Sequence, residues 1–437
     1  MSEWIVKTIG ELCDLGNGKV QTGPFGSQLH QSDYQAEGYP FVMPKDILNG
    51  RIDESSIARV SINHVERLSK HRLSFGDIIY GRRGDIGRQA LVRQENVGWL
   101  CGSGCLRISL GDAPIDPKFL HLYLKLPEVM AWVENQAIGA TMPNLNTKIL
   151  RSVPIRYPSN INQQQQIVAI VSAYDDLIEN NDRRIALLEK MAEEIYREWF
   201  VRLRFPGHEQ VTFHKGIPEG WKYIELGCLL DIKHGYAFKG EFFSQEPTSN
   251  VLLTPGNFAI GGGYKDDKLK YYNGSIPKDY ILQAGDMIVT MTDLSKAGDT
   301  LGYPAFVPPS GEYQFLHNQR LGKVLIYDKK TVGSYFLYHV FCSELYRYHV
   351  VGSATGSTVK HTAPERIRSF QILLPHQALM QEFEKKIGVI RNQIVLLSRK
   401  NNLLKQTRDR LLTRLISGKL SVEDLDIQFP PSMTADP

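Results

Sequence analysis

The sequence is poor in cysteine, in unbalanced charge and in long apolar runs. Five cysteines scattered over 437 residues argue against a disulfide framework and indicate a reducing, cytoplasmic compartment. No apolar run reaches the ~18 residues of a membrane span, and the first residues lack a signal-peptide core, so we expect no membrane contact. The net charge is only +4, so any nucleic-acid contact must come from local clusters rather than from a global field.

Motifs for catalysis and cofactor binding are also missing from the sequence. It contains no G-x-x-x-x-G-K-[ST] phosphate loop, no H-E-x-x-H, no C-x-x-C and no G-x-S-x-G. Cys101 and Cys105 lack neighbouring His or Cys partners, so we expect no metal site there. A nuclease-like Asp-x-Lys at 266–268 lacks an upstream acidic partner and is interpreted as a solvated hairpin. The sequence therefore predicts a binding protein without catalytic residues.

What the sequence does contain is an internal repeat. IGELCDL at 9–15 returns as LGCLLDI at 226–232, and LSFGDII at 73–79 returns as LQAGDMI at 282–288. Further along, GAT at 139–141 is echoed by GST at 356–358. Because these matches keep their order at offsets of 209 to 217 residues, the chain is interpreted as two copies of one unit.

Each copy ends in a long stripe of apolar residues at alternating steps of four and three. Such an a/d pattern is typical of a coiled-coil seam, although core packing in a larger helical domain is the plainer alternative. Each helix needs a partner of matching length, so we predict that the two pack on each other in an antiparallel arrangement. Asn181 and Arg408 fall in the stripes and would fix register at some cost in stability. The predicted seam residues are Ile167, Val171, Ile178, Ile185, Leu188 and Ile195 in the first helix and Ile387, Ile390, Ile394, Leu397, Leu404 and Leu411 in the second.

The predicted fold class is mixed α+β. Two similar α/β lobes are held apart by two long helices that form an antiparallel coiled coil. Short apolar strands and frequent Gly and Pro indicate loop-rich lobes, each with one clearer helix, near 119–135 and 335–350. The first long helix should end near 205–207 and the second near 417–418. The predicted boundaries are 1–158 for the first lobe, 159–205 for the first helix, 206–375 for the second lobe, 376–421 for the second helix and 422–437 for a tail.

Polar and basic loops in both lobes are the candidate DNA contacts. A Gly-flexed basic loop at 82–88 follows a predicted strand, and arginine in such a loop can bind a guanine edge or a phosphate. The second lobe is more polar than basic, and short polar side chains suit base edges but equally suit any solvated turn. The candidates are Ser27, Arg82, Arg83, Arg88, Thr141, Asn144 and Lys148 in the first lobe and Lys233, His234, Tyr236, Thr292, Lys296, Thr358, Lys360 and His361 in the second.

The order of these features resembles the specificity subunit of type I restriction–modification enzymes. Similar segments include GPFGS at 23–27, QQQQI at 163–167, PEGW at 218–221 and ISGKL at 416–420. The resemblance implies two target recognition domains, each reading one half of a bipartite, asymmetric site in double-stranded DNA. It also implies that the paired helices set the spacer and dock two methyltransferase subunits, and that two restriction/translocase subunits can join. S-adenosylmethionine, ATP and Mg would then belong to the partner subunits, with no cofactor in this chain. The second lobe reads AFKG at 237–240 in place of GPFG, so the two half-sites should differ.

Three other functions stay open on the residues alone. The first is a standalone sequence-specific DNA-binding regulator, against which the long helices count. The second is an enzyme, either a fused restriction–methylation polypeptide or a nuclease acting through Asp266 and Lys268. The third is a scaffold whose heptads bind other proteins.

Overall fold

The computed structural model describes residues 3–25, 28–83, 86–137, 144–266, 268–295 and 297–434. Contacts divide the chain into two units, one formed by residues 1–181 with 400–437 and the other by residues 182–399. Each unit combines several small sheets, short helices and one part of each long helix. The mixed α+β class is confirmed. The predicted domain boundaries stay a prediction, because the contact-based division cuts through both long helices.

The first unit is built on an antiparallel four-stranded sheet. Its strands, in spatial order, are Asn17–Thr22, Cys105–Gly111, Ile78–Gly81 and Gln89–Leu91. The other strands are Trp4–Thr8 paired with Pro154–Pro158, then Ala58–Val60, Tyr39–Val42 and Leu100–Cys101 in one sheet, and the pair Ile47–Leu48 and Arg51–Ile52. The short α-helices are Ile9–Leu15, Ile62–Arg67, Pro117–Tyr123, Pro127–Gln136, Thr147–Arg151 and Pro431–Thr434.

The second unit repeats this plan. Its four-stranded antiparallel sheet runs Leu230–His234, Leu321–Ile326, Met287–Thr290 and Pro304–Phe306. The other strands are Lys222–Glu225 with Gln371–Leu374, Phe213–His214 with Ile217–Pro218, Thr292–Asp293 with Lys360–His361, and a sheet of Phe243–Ser244, Tyr271–Tyr272, Asn250–Leu253, Gln314–His317 and Ile281–Leu282. The short α-helices are Ser334–Cys342, Glu344–Gly352 and Pro364–Arg368.

Matching ion pairs confirm the internal repeat at the level of single residues. Arg151 pairs with Asp14 at 2.7 Å in the first unit, and Arg368 pairs with Asp231 at 3.4 Å in the second. Both partners differ in number by 217 between the units. In each unit the arginine side chain also lies against a glycine four residues before the paired aspartate, which is Gly10 in the first unit and Gly227 in the second. The repeated sequence segments therefore form the same local structure.

The single helix expected near 119–135 is wrong, and so is its counterpart near 335–350. Each is two short helices, because the chain leaves the helical conformation at Leu126 before Pro127, and at Ser343. A residue that precedes proline is pushed to extended backbone angles, and Leu126 has ψ 133°. Ser343 caps the following helix by accepting from the N–H of Tyr346 at 3.4 Å.

The two long helices are Ile161–Tyr196 and Gln377–Ile416. The second ends where the sequence predicts. The α-helix of the first stops at Tyr196, before the expected 205–207, and continues as one wide π turn over Arg197–Val201. This wider turn places Trp199 and Phe200 against Phe383, with ring centroids 5.8 and 4.9 Å apart, in the aromatic core of the second unit.

Contacts inside each unit show that the long helices run antiparallel, as predicted. In the first unit Asn181 contacts Asn401 and Asp175 contacts Arg408, so one residue number falls as the other rises. In the second unit Lys386 lies 5.3 Å from the ring of Trp199. The predicted seam residues are buried at Ile167, Val171, Ile178, Ile387, Ile390, Ile394 and Leu397 and half-buried at Ile185, Leu188, Ile195, Leu404 and Leu411.

The polar residues of the seam form hydrogen bonds that could not be predicted from the sequence. Asn181 Nδ2 donates to Asn401 Oδ1 at 2.8 Å, and Asn401 Nδ2 donates to the carbonyl of Ile178 at 3.4 Å. Both asparagines are buried. Arg408 instead donates to Asp175 at 2.6 Å and keeps part of its side chain exposed. The register-fixing contact is therefore an Asn–Asn pair.

Candidate nucleic-acid interface

In the first lobe, the chain leaving strand Ile78–Gly81 is clamped between two other segments. The N–H of Arg82 donates to the carbonyl of Gly104 at 2.8 Å, and the N–H of Leu145 donates to the carbonyl of Arg82 at 2.9 Å. Arg83 forms a single β-bridge with Asn144. This short ladder brings together Arg82, Arg83 and Asn144, which the sequence gives as candidates in two distant loops.

The two arginines of this ladder have different surroundings. Arg82 is half-buried, and its Nε donates to Asn144 Oδ1 and to the carbonyl of Leu145, both at 3.2 Å. Those bonds hold the Arg82 side chain in place. Arg83 is exposed. Exposed arginine on an ordered backbone can bind guanine or phosphate, so Arg83 is the better placed of the two to contact DNA.

The other first-lobe candidates lie around this ladder or outside the described residues. Arg88 is half-buried after Gly87 and makes contacts within the protein. Lys148 is exposed on helix Thr147–Arg151, whose start is capped by Asn146 Oδ1 accepting from the N–H of Ile149 at 2.9 Å. Ser27 and Thr141 lie outside the described residues.

The second lobe builds the same ladder from different side chains. The N–H of Met291 donates to the carbonyl of Arg320 at 2.9 Å, and the N–H of Thr362 donates to the carbonyl of Met291 at 3.0 Å. Strand Thr292–Asp293 then pairs with strand Lys360–His361. Thr292 Oγ1 and His361 Nδ1 lie 3.1 Å apart, so these two candidates meet across the ladder. Thr358 is exposed in the turn just before it.

Asp293 organises the loop that follows this ladder. Its buried carboxylate accepts from the N–H of Ser295 and the hydroxyl of Thr300, both at 2.7 Å, and from the N–H of Thr300. Burial alone would raise the pKa of Asp293, but these hydrogen bonds outweigh it and the pKa is lowered. Asp293 therefore stays charged and ties both ends of the loop together. The candidate Lys296, inside this loop, lies outside the described residues.

A second group in this lobe combines a lysine with aromatic rings. Lys233 Nζ donates to the carbonyl of Asp279 at 3.0 Å and lies 4.9 Å from the ring centre of Tyr280. The ring of Tyr236 lies 5.2 Å from that of Tyr280 and is 39% exposed. His234 is exposed at the end of its strand. Tyr280 is not among the residues predicted from the sequence, although KDY at 278–280 places a lysine close to this aromatic residue and could have identified it.

Gly235 lets the Lys233–Tyr236 segment lie directly on the neighbouring turn. A Cβ at this position would lie 2.0 Å from the carbonyl oxygen of Asn318, far inside contact distance. The N–H of Gln319 donates to the carbonyl of Tyr236 at 3.0 Å, so the two segments are also hydrogen-bonded. The close approach therefore positions Tyr236 beside the turn.

We expect Gly235→Ala to move Tyr236 and weaken DNA binding by the second lobe. The backbone clash at Asn318 cannot be relieved by a side-chain rotation, so the turn must shift. The measurement is DNA affinity, together with thermal unfolding to separate a local shift from unfolding. Gly311→Ala in the same unit is the matched control, because no atom lies within 4 Å of the added Cβ there. Equal affinity of Gly235→Ala and Gly311→Ala would contradict the expectation.

Among the described residues, no group of three or more His, Cys, Asp or Glu side chains is placed to hold a metal ion. Cys101 and Cys105 are both buried, and burial raises the pKa of Cys101 to about 12. The middle of the Asp266–Lys268 segment lies outside the described residues. Within the described part of the chain, no helix is both long and apolar enough to cross a membrane.

Comparison with known proteins identifies the family. A family model described as the type I restriction modification DNA specificity domain matches residues 1–190. The type I restriction enzyme MjaIX specificity subunit of Methanocaldococcus jannaschii is 24% identical over 440 residues, covering 97% of this chain and 95% of the relative. Residues 1–190 thus match the DNA specificity domain of type I restriction–modification enzymes, and the chain is similar to their specificity subunits over nearly its whole length. Its resemblance in sequence to that family is thereby confirmed.

Other specificity subunits agree with this assignment. The MjaVIII specificity subunit of the same archaeon is 22% identical over 340 residues, covering 75% of this chain and 76% of the relative. A crystal structure of the type I restriction–modification S subunit from M. genitalium matches with a TM-score of 0.50 at 17% identity, covering 95% of this chain and 96% of that one. The chain therefore shares the fold of that S subunit over 95% of its length.

Proposed function

We propose that this specificity subunit reads a bipartite, asymmetric site in double-stranded DNA, one half with each lobe. The observation that carries the proposal is the repeated ladder. It presents Arg83 and Asn144 in the first lobe and Thr292 and His361 in the second on the same main-chain frame. Two lobes that share the same main-chain ladder but carry different side chains suit two half-sites of different sequence.

The proposal makes this chain a DNA-recognition subunit without catalytic activity of its own, which its similarity to specificity subunits supports. In the proposal S-adenosylmethionine, ATP and Mg belong to the partner subunits. Methylation is then performed by two docked methyltransferase subunits, and two restriction/translocase subunits can join them. The same proposal places the complex in the cytoplasm.

Exposed apolar residues on the long helices support docking of a partner. In the second unit Leu187, Met191, Val389 and Leu396 are 46–67% exposed, and Met191 and Val389 line a groove with Ile195 and Ile390. All four lie outside the a/d seam, at heptad positions c and g. In the first unit Leu177 and Leu403 occupy the same positions and are 52% and 64% exposed. A row of exposed apolar side chains at heptad spacing suits packing against helices of another subunit.

The test of the proposed function is methylation mapping with the chain and its methyltransferase expressed together. We expect modified bases in a split motif with a fixed gap, and no modification when this chain is left out. A continuous motif would contradict reading by two lobes. An unchanged motif without the chain would contradict the specificity role altogether.

Arg83→Ala is expected to weaken DNA binding by the first lobe by about 1–3 kcal/mol if it binds a guanine edge, with relaxed selectivity at one base pair of one half-site. The measurement is affinity of the assembled complex for duplexes altered in either half. Lys7→Ala, on strand Trp4–Thr8 of the same unit, is the control that removes one half-buried charge outside the ladder. An Arg83 variant with the affinity and selectivity of the Lys7 variant would exclude Arg83 from the interface.

A further inference from the structure

Arg320 lies where the two candidate groups of the second lobe meet. Its carbonyl accepts from the N–H of Met291, directly before Thr292. Its neighbour Gln319 donates from its N–H to the carbonyl of Tyr236 at 3.0 Å. The turn 318–320 therefore touches both the Thr292 ladder and the Tyr236 aromatic group.

The backbone of this turn is firmly held. Asn318 Oδ1 accepts from the N–H of Arg320 at 2.9 Å, and the carbonyl of Asn318 accepts from the N–H of Leu321 at 3.0 Å. The turn joins strands Gln314–His317 and Leu321–Ile326, and both residues that flank it, His317 and Leu321, are buried. A side chain carried by such a turn starts from a fixed position, which reduces the entropy lost on binding.

The guanidinium of Arg320 makes no hydrogen bond or ion pair with the described residues. Arg320 is exposed, and no described side chain pairs with it. Other arginines of the same unit are committed: Arg347 donates to the carbonyl of Gly298 at 2.8 Å, and Arg368 pairs with Asp231. Arg320 is therefore available to an external acceptor.

The first lobe shows what stands at the same place in the other copy. There the N–H of Arg82 donates to the carbonyl of Gly104, as the N–H of Met291 does to that of Arg320. The first lobe thus carries its arginines on the strand exit and a glycine on the turn. The second lobe has the uncharged Met291 and Thr292 on the strand exit and its arginine on the turn. Each ladder has an exposed arginine, but it comes from a different segment.

We propose that Arg320 is a specificity-determining residue of the second lobe, which binds a guanine edge in the second half of the DNA site. This inference rests on the proposed function. The planar guanidinium can donate two parallel hydrogen bonds to guanine O6 and N7, and the neighbouring Thr292 and Tyr236 can contact the flanking nucleotides. Lysine cannot reproduce the two-pronged contact.

The experiment uses the full chain assembled with its methyltransferase and three duplexes: the mapped site, the site altered in the first half, and the site altered in the second half. For Arg320→Ala we expect affinity for the mapped site to fall roughly 10- to 100-fold. The variant should no longer distinguish the mapped site from the duplex altered at one base pair of the second half. It should still distinguish the mapped site from the duplex altered in the first half. Arg320→Lys should recover part of the affinity without that selectivity.

Lys329→Ala is the matched control, since Lys329 is exposed beyond the far end of strand Leu321–Ile326. Thermal unfolding of all variants should equal that of the wild type, because the exposed side chain of Arg320 makes no hydrogen bond or ion pair with a described residue. Wild-type affinity in Arg320→Ala would overturn the inference. A fall of equal size on all three duplexes would do so too, since it marks a phosphate contact. If the wild-type complex itself does not distinguish the duplexes, the proposed function fails instead.

Discussion

Replacing Asn181 by leucine is expected to lower the free energy of unfolding by about 1–3 kcal/mol. The reason is that Asn401, only 3% exposed, would lose the side chain that now donates to it at 2.8 Å. A buried amide without its partner costs the desolvation of that group. Asn401→Leu should cost a similar amount, because it removes the acceptor for Asn181. Chemical denaturation of the two single variants is the measurement.

Replacing both asparagines should cost far less than the sum of the single changes. Two leucines facing each other complete an apolar seam and leave no unpaired group, so the double variant should unfold at or above the denaturant midpoint of the wild type. Losses that add in the double variant would show that the pair contributes nothing as a pair. Leu404→Ala in the same seam is the control for lost packing alone.

The same double variant should lose selectivity in helix pairing. At the repeat offset of 216, Asn181 corresponds to Leu397 and Asn401 corresponds to Ile185. The two asparagines therefore meet only when the first long helix pairs with the second. If the first helix paired antiparallel with the same helix of another copy, Asn181 would face Ile185 and be unpaired. We expect dimers after refolding of the double variant, measured by light scattering, and none for the wild type.

Lengthening both long helices by one heptad is expected to move methylation to a site with a longer spacer. Seven residues add about 10 Å to each helix, the length of about three base pairs. With insertions after Asp182 and after Lys400, beside the Asn181–Asn401 layer, the a/d pattern continues in both helices. Methylation mapping should then show the native half-sites with about three more base pairs between them, and loss of the native spacing.

Two controls define this experiment. An insertion in one helix alone leaves unequal partners and should unfold or aggregate, which shows that the helices must match. A scrambled insertion with polar a/d positions should behave likewise. Retention of the native spacing by the doubly lengthened chain would show that the helices do not set the gap.

The repeat and the long helices could be predicted because their signals are periodic or duplicated. The stripe from Ile167 to Ile195 has one spacing over many turns, so errors at single positions do not hide it. Helix breaks are local, so a prediction from periodicity passes over them, although Pro127 marks one of them in the sequence. The π turn at Arg197–Val201 left no such signal, since it depends on how Trp199 and Phe200 pack in the aromatic core.

Much less of the candidate interface could be predicted. The residue types of Arg82 and Asn144 point to nucleic acid, but only the fold shows that Asn144 holds Arg82 and leaves Arg83 exposed. Arg320 lies in no basic cluster of the sequence, because its significance comes from a turn between two strands that touches segments far away in the chain.

The ladder shared by the two lobes is made of main-chain atoms. The bonds Arg82–Gly104 and Met291–Arg320, like Leu145–Arg82 and Thr362–Met291, survive a complete change of side chains between the copies. A surface whose support does not depend on its side chains can accumulate substitutions without losing its shape. New target sequences can therefore arise by mutation of one lobe, while the other lobe and its half-site stay as they were.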